Sequence, residues 1–228
     1  MKKSLIGLIA TVALLLGLAS FAGFPPSYLL SAPGVATGIG SKLLCSARYV
    51  SGFSEQQSFD DLVQYSGILQ ELTVEFDSNE KAVTTSLFGL SEKTAIYLPN
   101  IGCAIDYSGY SQRTSMQTQE SQLSAAAWPL GDSVGVADAR IQELLQRLLG
   151  VDNELGLNTR ALLVAHRGSV IAEAYGQGAD ATTPLLGWSM AKSLTSIMLA
   201  NLEYRGLLDL NGTPGFAQWQ TDRRTQIR

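Results

Sequence analysis

The stretch GWSMAKSLTSIMLANLEYRGLLDL, Gly187 to Leu210, sets Ser189 and Lys192 three positions apart at the start of an amphipathic pattern. Met190, Ala191, Leu194, Ile197, Met198 and Leu202 flank the pair as an apolar stripe, and Gly206 stands where a C-cap glycine belongs. The pattern predicts a helix from Ser189 to Arg205, with Lys192 one turn after Ser189 on the same face. A helix carrying that stripe is expected to be buried on one side, with Lys192 partly desolvated beside it.

Such a pair suits nucleophilic catalysis. A serine hydroxyl needs a base within hydrogen-bond reach, and a lysine can serve when burial lowers its pKa. The start of a helix contributes partial positive charge, which disfavours a protonated lysine, and N–H groups able to stabilise an oxyanion. A plainer role fits the same spacing, with Ser189 as an N-cap and Lys192 reaching outward to water. The spacing alone is weak evidence, because Ser78-Asn79-Glu80-Lys81 also reads S-x-x-K, in a charged turn where a lysine stays solvated. His166, the single histidine, closes a strand beside a turn and is expected to be structural or superficial, given the strict geometry a serine triad demands.

Working back toward the N-terminus, RALLVAHRGSVIAEAYG predicts a hairpin: Ala161 to Ala165, a turn at Arg167-Gly168-Ser169, and a return from Val170 to Tyr175. A helix is predicted over Val136 to Leu149, with Val136, Ile141, Leu144, Leu145, Leu148 and Leu149 on one side and Gly150 as its C-cap. The polar run SQRTSMQTQESQL, Ser111 to Leu123, has no period and predicts an inter-domain linker with a boundary near residue 125. Upstream lie a short helix over Ser58 to Gln70, built on Phe59, Leu62, Val63 and Ile68, and strands at Leu72 to Phe76, Ala82 to Leu87 and Thr94 to Leu98. Phe24 to Ser41, rich in Pro, Gly and Ser, is expected to be a linker.

Lys2 and Lys3 precede the apolar run Leu5 to Leu18 and then Ala19, Ser20, Ala22 and Gly23, the layout of an export signal. Cleavage after Ala22 and retention as a membrane anchor both remain open. The protein is therefore expected outside the reducing compartment, either periplasmic or anchored in the inner membrane facing the periplasm. There, a disulfide between Cys45 and Cys103 is expected to close a small α+β unit, two free buried thiols being the alternative. The net charge of −4 and scattered basic residues give no footprint for nucleic acid. One histidine and two distant cysteines make no zinc ligand set, so neither metal nor cofactor is expected.

The region from Ala161 to Asp209 resembles the N-terminal part of the β-lactamase-related serine hydrolases, through the LLVAHRG hairpin, Gly187-Trp188-Ser189-Met190-Ala191-Lys192-Ser193, and the GLLDLN close at Gly206 to Asn211. That family includes class C β-lactamases, penicillin-binding carboxypeptidases, certain esterases and 6-aminohexanoate-oligomer hydrolases, and the tryptophan-containing GWSMAKS form looks closest to the last. The resemblance implies a mixed α/β, β-lactamase/transpeptidase-like fold, an antiparallel sheet flanked by helices. It makes Ser189 the acylated nucleophile, Lys192 its base, and a small-molecule amide or ester the substrate. The family's second motif, Tyr-x-Asn or Ser-x-Asn, and its third, Lys/His-x-Gly, are absent between Asn211 and Arg228, and Tyr204 sits within the helix itself. The expected organisation is thus a signal or anchor at 1–23, a small α+β region at 24–110, a linker at 111–130, and at 131–228 the first part of a truncated hydrolase domain. From these 228 residues little or no turnover is expected. The alternative is a non-catalytic envelope protein that uses the fold or its N-terminal module to bind peptide or peptidoglycan.

Overall fold

The computed structural model describes residues 26–107 and 138–212 without a break, together with 215–219, 221, 223–226 and positions 7, 17, 20, 21, 126, 128 and 131. The expected signal segment and the expected linker at 111–130 lie outside the described residues except for those single positions. Among the described residues no helix is long and apolar enough to cross a membrane. The protein is mixed α/β, an antiparallel sheet flanked by helices, and the chain divides into two compact units, 1–184 and 185–228.

Four strands in simple succession build the first sheet: β1 (Leu72–Asp77), β2 (Ala82–Leu87), β3 (Ser91–Leu98) and β4 (Gly102–Ile105). The register sets Leu72 opposite Leu87, Phe76 opposite Val83, and Val83 opposite Ala95, so one face is apolar by the period-2 alternation of a half-buried strand. The other face carries Thr73, Glu75 and the hydrogen-bonded pair Thr84–Thr94, whose hydroxyls lie 2.8 Å apart. The short strand β4 had no strand signal in the sequence.

The stretch expected to be a linker is instead a helix. Helix α1 (Pro26–Cys45) packs on β2 and β3, and a π-helical turn, Ser46–Val50, follows it. Its buried positions are Ala36, Thr37, Gly40, Ser41, Leu44 and Cys45, a helical stripe made mostly of small residues. Small side chains let the helix backbone approach the sheet closely: Thr85 Oγ1 donates a 2.7 Å hydrogen bond to the Thr37 carbonyl. A Cβ added at Gly40 would lie 2.5 Å from Leu72 Cδ1. The composition that suggests a linker is what such close packing requires. A disulfide joins Cys45 to Cys103, with Cα atoms 6.0 Å apart, fastening the end of α1 to β4.

Helix α2 (Glu55–Val63) begins earlier than the sequence suggested, because Ser54 caps it by accepting from the Gln57 N–H at 3.1 Å. A 3-10 turn over Gly67–Glu71 follows, in which Leu69 is buried and Ile68 is exposed.

Helix α3 (Ala139–Glu154) is capped by Asp138, whose carboxylate accepts from the N–H groups of Arg140 and Ile141. Val136, expected within this helix, lies outside the described residues. The helix runs through Gly150 and ends at Gly156, whose φ of +76° is the left-handed conformation of a C-terminal cap. Leu145 and Leu149 pack with Ala172 and Ala174 on the hairpin, whereas Leu144 and Leu148 face outward. The hairpin is β5 (Ala161–His166) and β6 (Ser169–Tyr175), with a bulge at Val164/Ala165. Its β6 edge is closed from α3: the Gln142 amide donates to the Glu173 carbonyl and accepts from the Glu173 N–H, and the Asp138 N–H donates to the Ile171 carbonyl.

Within this unit the hairpin and the four-stranded sheet region are tied by side chains. Arg160 pairs with Asp61 at 2.6 Å and lies over the Phe53 ring, while Gln57 Nε2 donates to the Gln177 carbonyl and Ser51 Oγ to that of Pro184. The Arg160–Asp61 pair is largely buried, so removing one partner would strand a charge away from water.

Tyr175 offers a pH test of the hairpin. Burial, and then the hydrogen bond and negative charge of Glu173 with a smaller effect from Asp180, push its phenol up to about 12. A folded-state pKa above the unfolded value stabilises the fold fully below pH ~10. That contribution is lost as pH rises from there through about 12. In an ultraviolet tyrosinate titration, Tyr175→Phe is expected to remove one late-titrating phenol. If the difference between the wild-type and variant curves instead titrates near pH ~10, as an unperturbed phenol would, the burial and Glu173 contact of Tyr175 are absent in solution.

Candidate active site

Residues 185–228 form the unit that carries the serine and lysine. Helix α4 (Met190–Tyr204) spans nearly the stretch that the sequence predicted. Gly206, φ +69°, closes it in a Schellman arrangement: its N–H donates to the Glu203 carbonyl at 2.8 Å and the Leu207 N–H to that of Leu202 at 2.9 Å. Below this close, the Leu210 N–H reaches Glu203 Oε1 and the Asn211 N–H reaches Asp209 Oδ1, which fold the GLLDLN segment into a turn.

Ser189 has helical backbone angles, φ −69° and ψ −8°, and its hydroxyl caps no N–H, so the plain N-cap role does not describe it. Lys192 Nζ donates a hydrogen bond to Ser189 Oγ at 3.1 Å. This one-turn geometry follows from helix periodicity alone, which is why it was legible in the sequence. The other S-x-x-K match folds differently. Ser78 to Lys81 lies in the β1–β2 turn, held by Asp77 Oδ1 accepting from the N–H groups of Asn79 and Glu80. Lys81 there has φ +49° and its ammonium lies over the Tyr97 ring.

Sequence reasoning marked Trp188 by its place in the motif but missed its backbone conformation. Its φ of +42° is unusual for a bulky residue, and such backbone strain costs of order 1–3 kcal/mol and concentrates at functional sites. The residue type gives no hint of this, since glycine or asparagine is what ordinarily marks a left-handed position.

Three expectations need correction. The apolar stripe of α4 is not buried: Met190, Leu194, Ile197 and Met198 are between 60% and 71% exposed, and no residue of the helix is buried within the described structure. One-sided burial depends on a partner surface, which periodicity cannot supply. Lys192 is accordingly exposed rather than desolvated. The first-turn N–H groups are also already engaged, those of Met190, Ala191 and Lys192 donating to the carbonyls of Gly187, Trp188 and Ser189, so they offer no oxyanion hole. His166 closes β5 opposite Ser169, and Tyr204 ends α4 almost fully exposed.

No protein-family model, curated protein or solved structure matches the chain.

Proposed function

We propose that the protein belongs to the β-lactamase-related serine hydrolases, is exported to the periplasm, and performs acyl transfer on amide or ester bonds through Ser189. The observation that carries this reading is the Lys192 Nζ to Ser189 Oγ hydrogen bond of 3.1 Å at the start of α4, directly after the strained Trp188. In the proposed step Ser189 Oγ attacks the carbonyl carbon as Lys192, in its neutral form, takes the hydroxyl proton. The leaving group departs with a proton, and water then hydrolyses the ester on Ser189. A lysine becomes an effective base when water is removed from around it, so full activity requires the exposed stripe of α4 to be covered.

The test is acylation by p-nitrophenyl acetate, whose good leaving group relieves the need for a general acid. One acetyl group is expected on the peptide containing Ser189, forming slowly and without appreciable turnover of amides. Ser189→Ala should abolish it, and Lys192→Ala should slow it by about tenfold or more. Acetylation confined to lysines, with the Ser189 peptide unmodified, would overturn the reading.

A further inference from the structure

A groove of about 570 Å³ runs between α3 and the end of β6, lined among others by Gln146, Gly150, Asn153, Glu173, Tyr175 and Gln177. It lies within the first unit and contains neither Ser189 nor Lys192. Its volume falls in the range of small-molecule sites. Gly150 is the informative residue. A glycine in a helix interior costs about 1 kcal/mol relative to alanine, and having no side chain it leaves the surface beside it uncovered. At Gly150 a Cβ would meet nothing within 4 Å, so the fold has no steric need for glycine. What the missing side chain leaves open is the groove.

The lining narrows the chemistry of an occupant. Among the described residues no lysine or arginine borders the groove, so no cationic side chain there would hold an anion. An extended peptide adding to the β6 edge finds it closed, since the Ile171 carbonyl and both main-chain groups of Glu173 already have partners. The remaining polar capacity is neutral or accepting. Asn153 Nδ2 is spent on the Leu149 and Thr159 carbonyls, which leaves its Oδ1. Glu173 Oε2 accepts from the Tyr175 hydroxyl, which leaves Oε1, and the amides of Gln146 and Gln177 can both donate and accept. Beneath them lie the buried Leu149 and Ala174 and the half-buried Tyr175.

We propose that this groove binds a neutral saccharide, with a ring face seated over Gly150 and the apolar floor and its hydroxyls bridging the amides and Glu173. Amides and a carboxylate satisfy vicinal hydroxyls, and an aromatic edge with apolar carbon matches the C–H face of a sugar ring. The site is independent of acyl transfer at Ser189.

The experiment is a titration of the full chain with maltotriose, cellotriose and chitotriose, followed by amide chemical shifts. At least one is expected to saturate at millimolar concentration, shifting residues of the groove. Gly150→Val should abolish that binding with the fold intact, and Gln146→Ala should weaken it several-fold. Ser189→Ala should bind as wild type, which separates failure here from failure of the hydrolase reading. Absence of binding by all three sugars, or shifts that survive Gly150→Val, would overturn the proposal.

Discussion

Replacing Cys45 and Cys103 together by alanine is expected to cost about 4 kcal/mol of stability, roughly a quarter or more of what a typical domain possesses. The two cysteines are 58 residues apart, and closing a loop of that size restricts the unfolded chain heavily. Both are buried, so alanine leaves no unsatisfied polar atom behind. The bridge also acts locally. Strand β4 has four residues and, among the described residues, pairs only with β3, so without the link to α1 it is the part of the sheet with least to hold it. In urea denaturation the double variant should unfold at a markedly lower midpoint. Hydrogen exchange at Ala104 and Asp106, whose N–H groups face β3, should accelerate more than exchange in β2. A stability change under ~1 kcal/mol would mean that the bridge does not constrain the solution fold.

The elements that the sequence disclosed are those set by local rules. Strands β1 to β3 alternate side chains between two faces and are separated by the turns at Asp77 and Gly89, while the hairpin turns through Arg167 and Gly168, both with positive φ. Helix α4 and its Gly206 close are equally local, as is the meeting of Ser189 with Lys192 one turn apart. What failed was non-local. Gly150 resembled a cap because it follows an apolar run, yet the left-handed backbone sits at Gly156. The α4 stripe has a helical period, but whether it is covered depends on a surface elsewhere, and Lys192 shares that dependence. The strain at Trp188 and the engagement of the first-turn N–H groups are matters of backbone conformation that residue identity did not betray.

Helix α1 is the sharpest discrepancy between composition and structure, and Gly40 tests it. If residues 24–41 were a linker, Gly40→Val would be nearly silent, since surface substitutions commonly change stability by about 0.5 kcal/mol or less. In the helix, a side chain at Gly40 meets Leu72 Cδ1 at 2.5 Å and Thr85 at 3.5 Å, and both residues are buried. Helix propensity favours Gly40→Ala by about 1 kcal/mol, while overpacking a close-fitted core costs typically ~1–3 kcal/mol. Alanine should therefore be neutral to destabilising, and valine, with two further methyl groups against the sheet, should cost about 3 kcal/mol or more. Leu72→Ala alone removes a core side chain and is expected to cost ~2–5 kcal/mol. Combined with Gly40→Ala, it vacates the space the new methyl needs. The double variant should then be more stable than the sum of the single effects by ~1 kcal/mol or more, because the two residues share one volume. Strict additivity would place Gly40 away from Leu72 and return α1 to the status of a tether; a positive coupling ties the small-residue stripe to the sheet it covers.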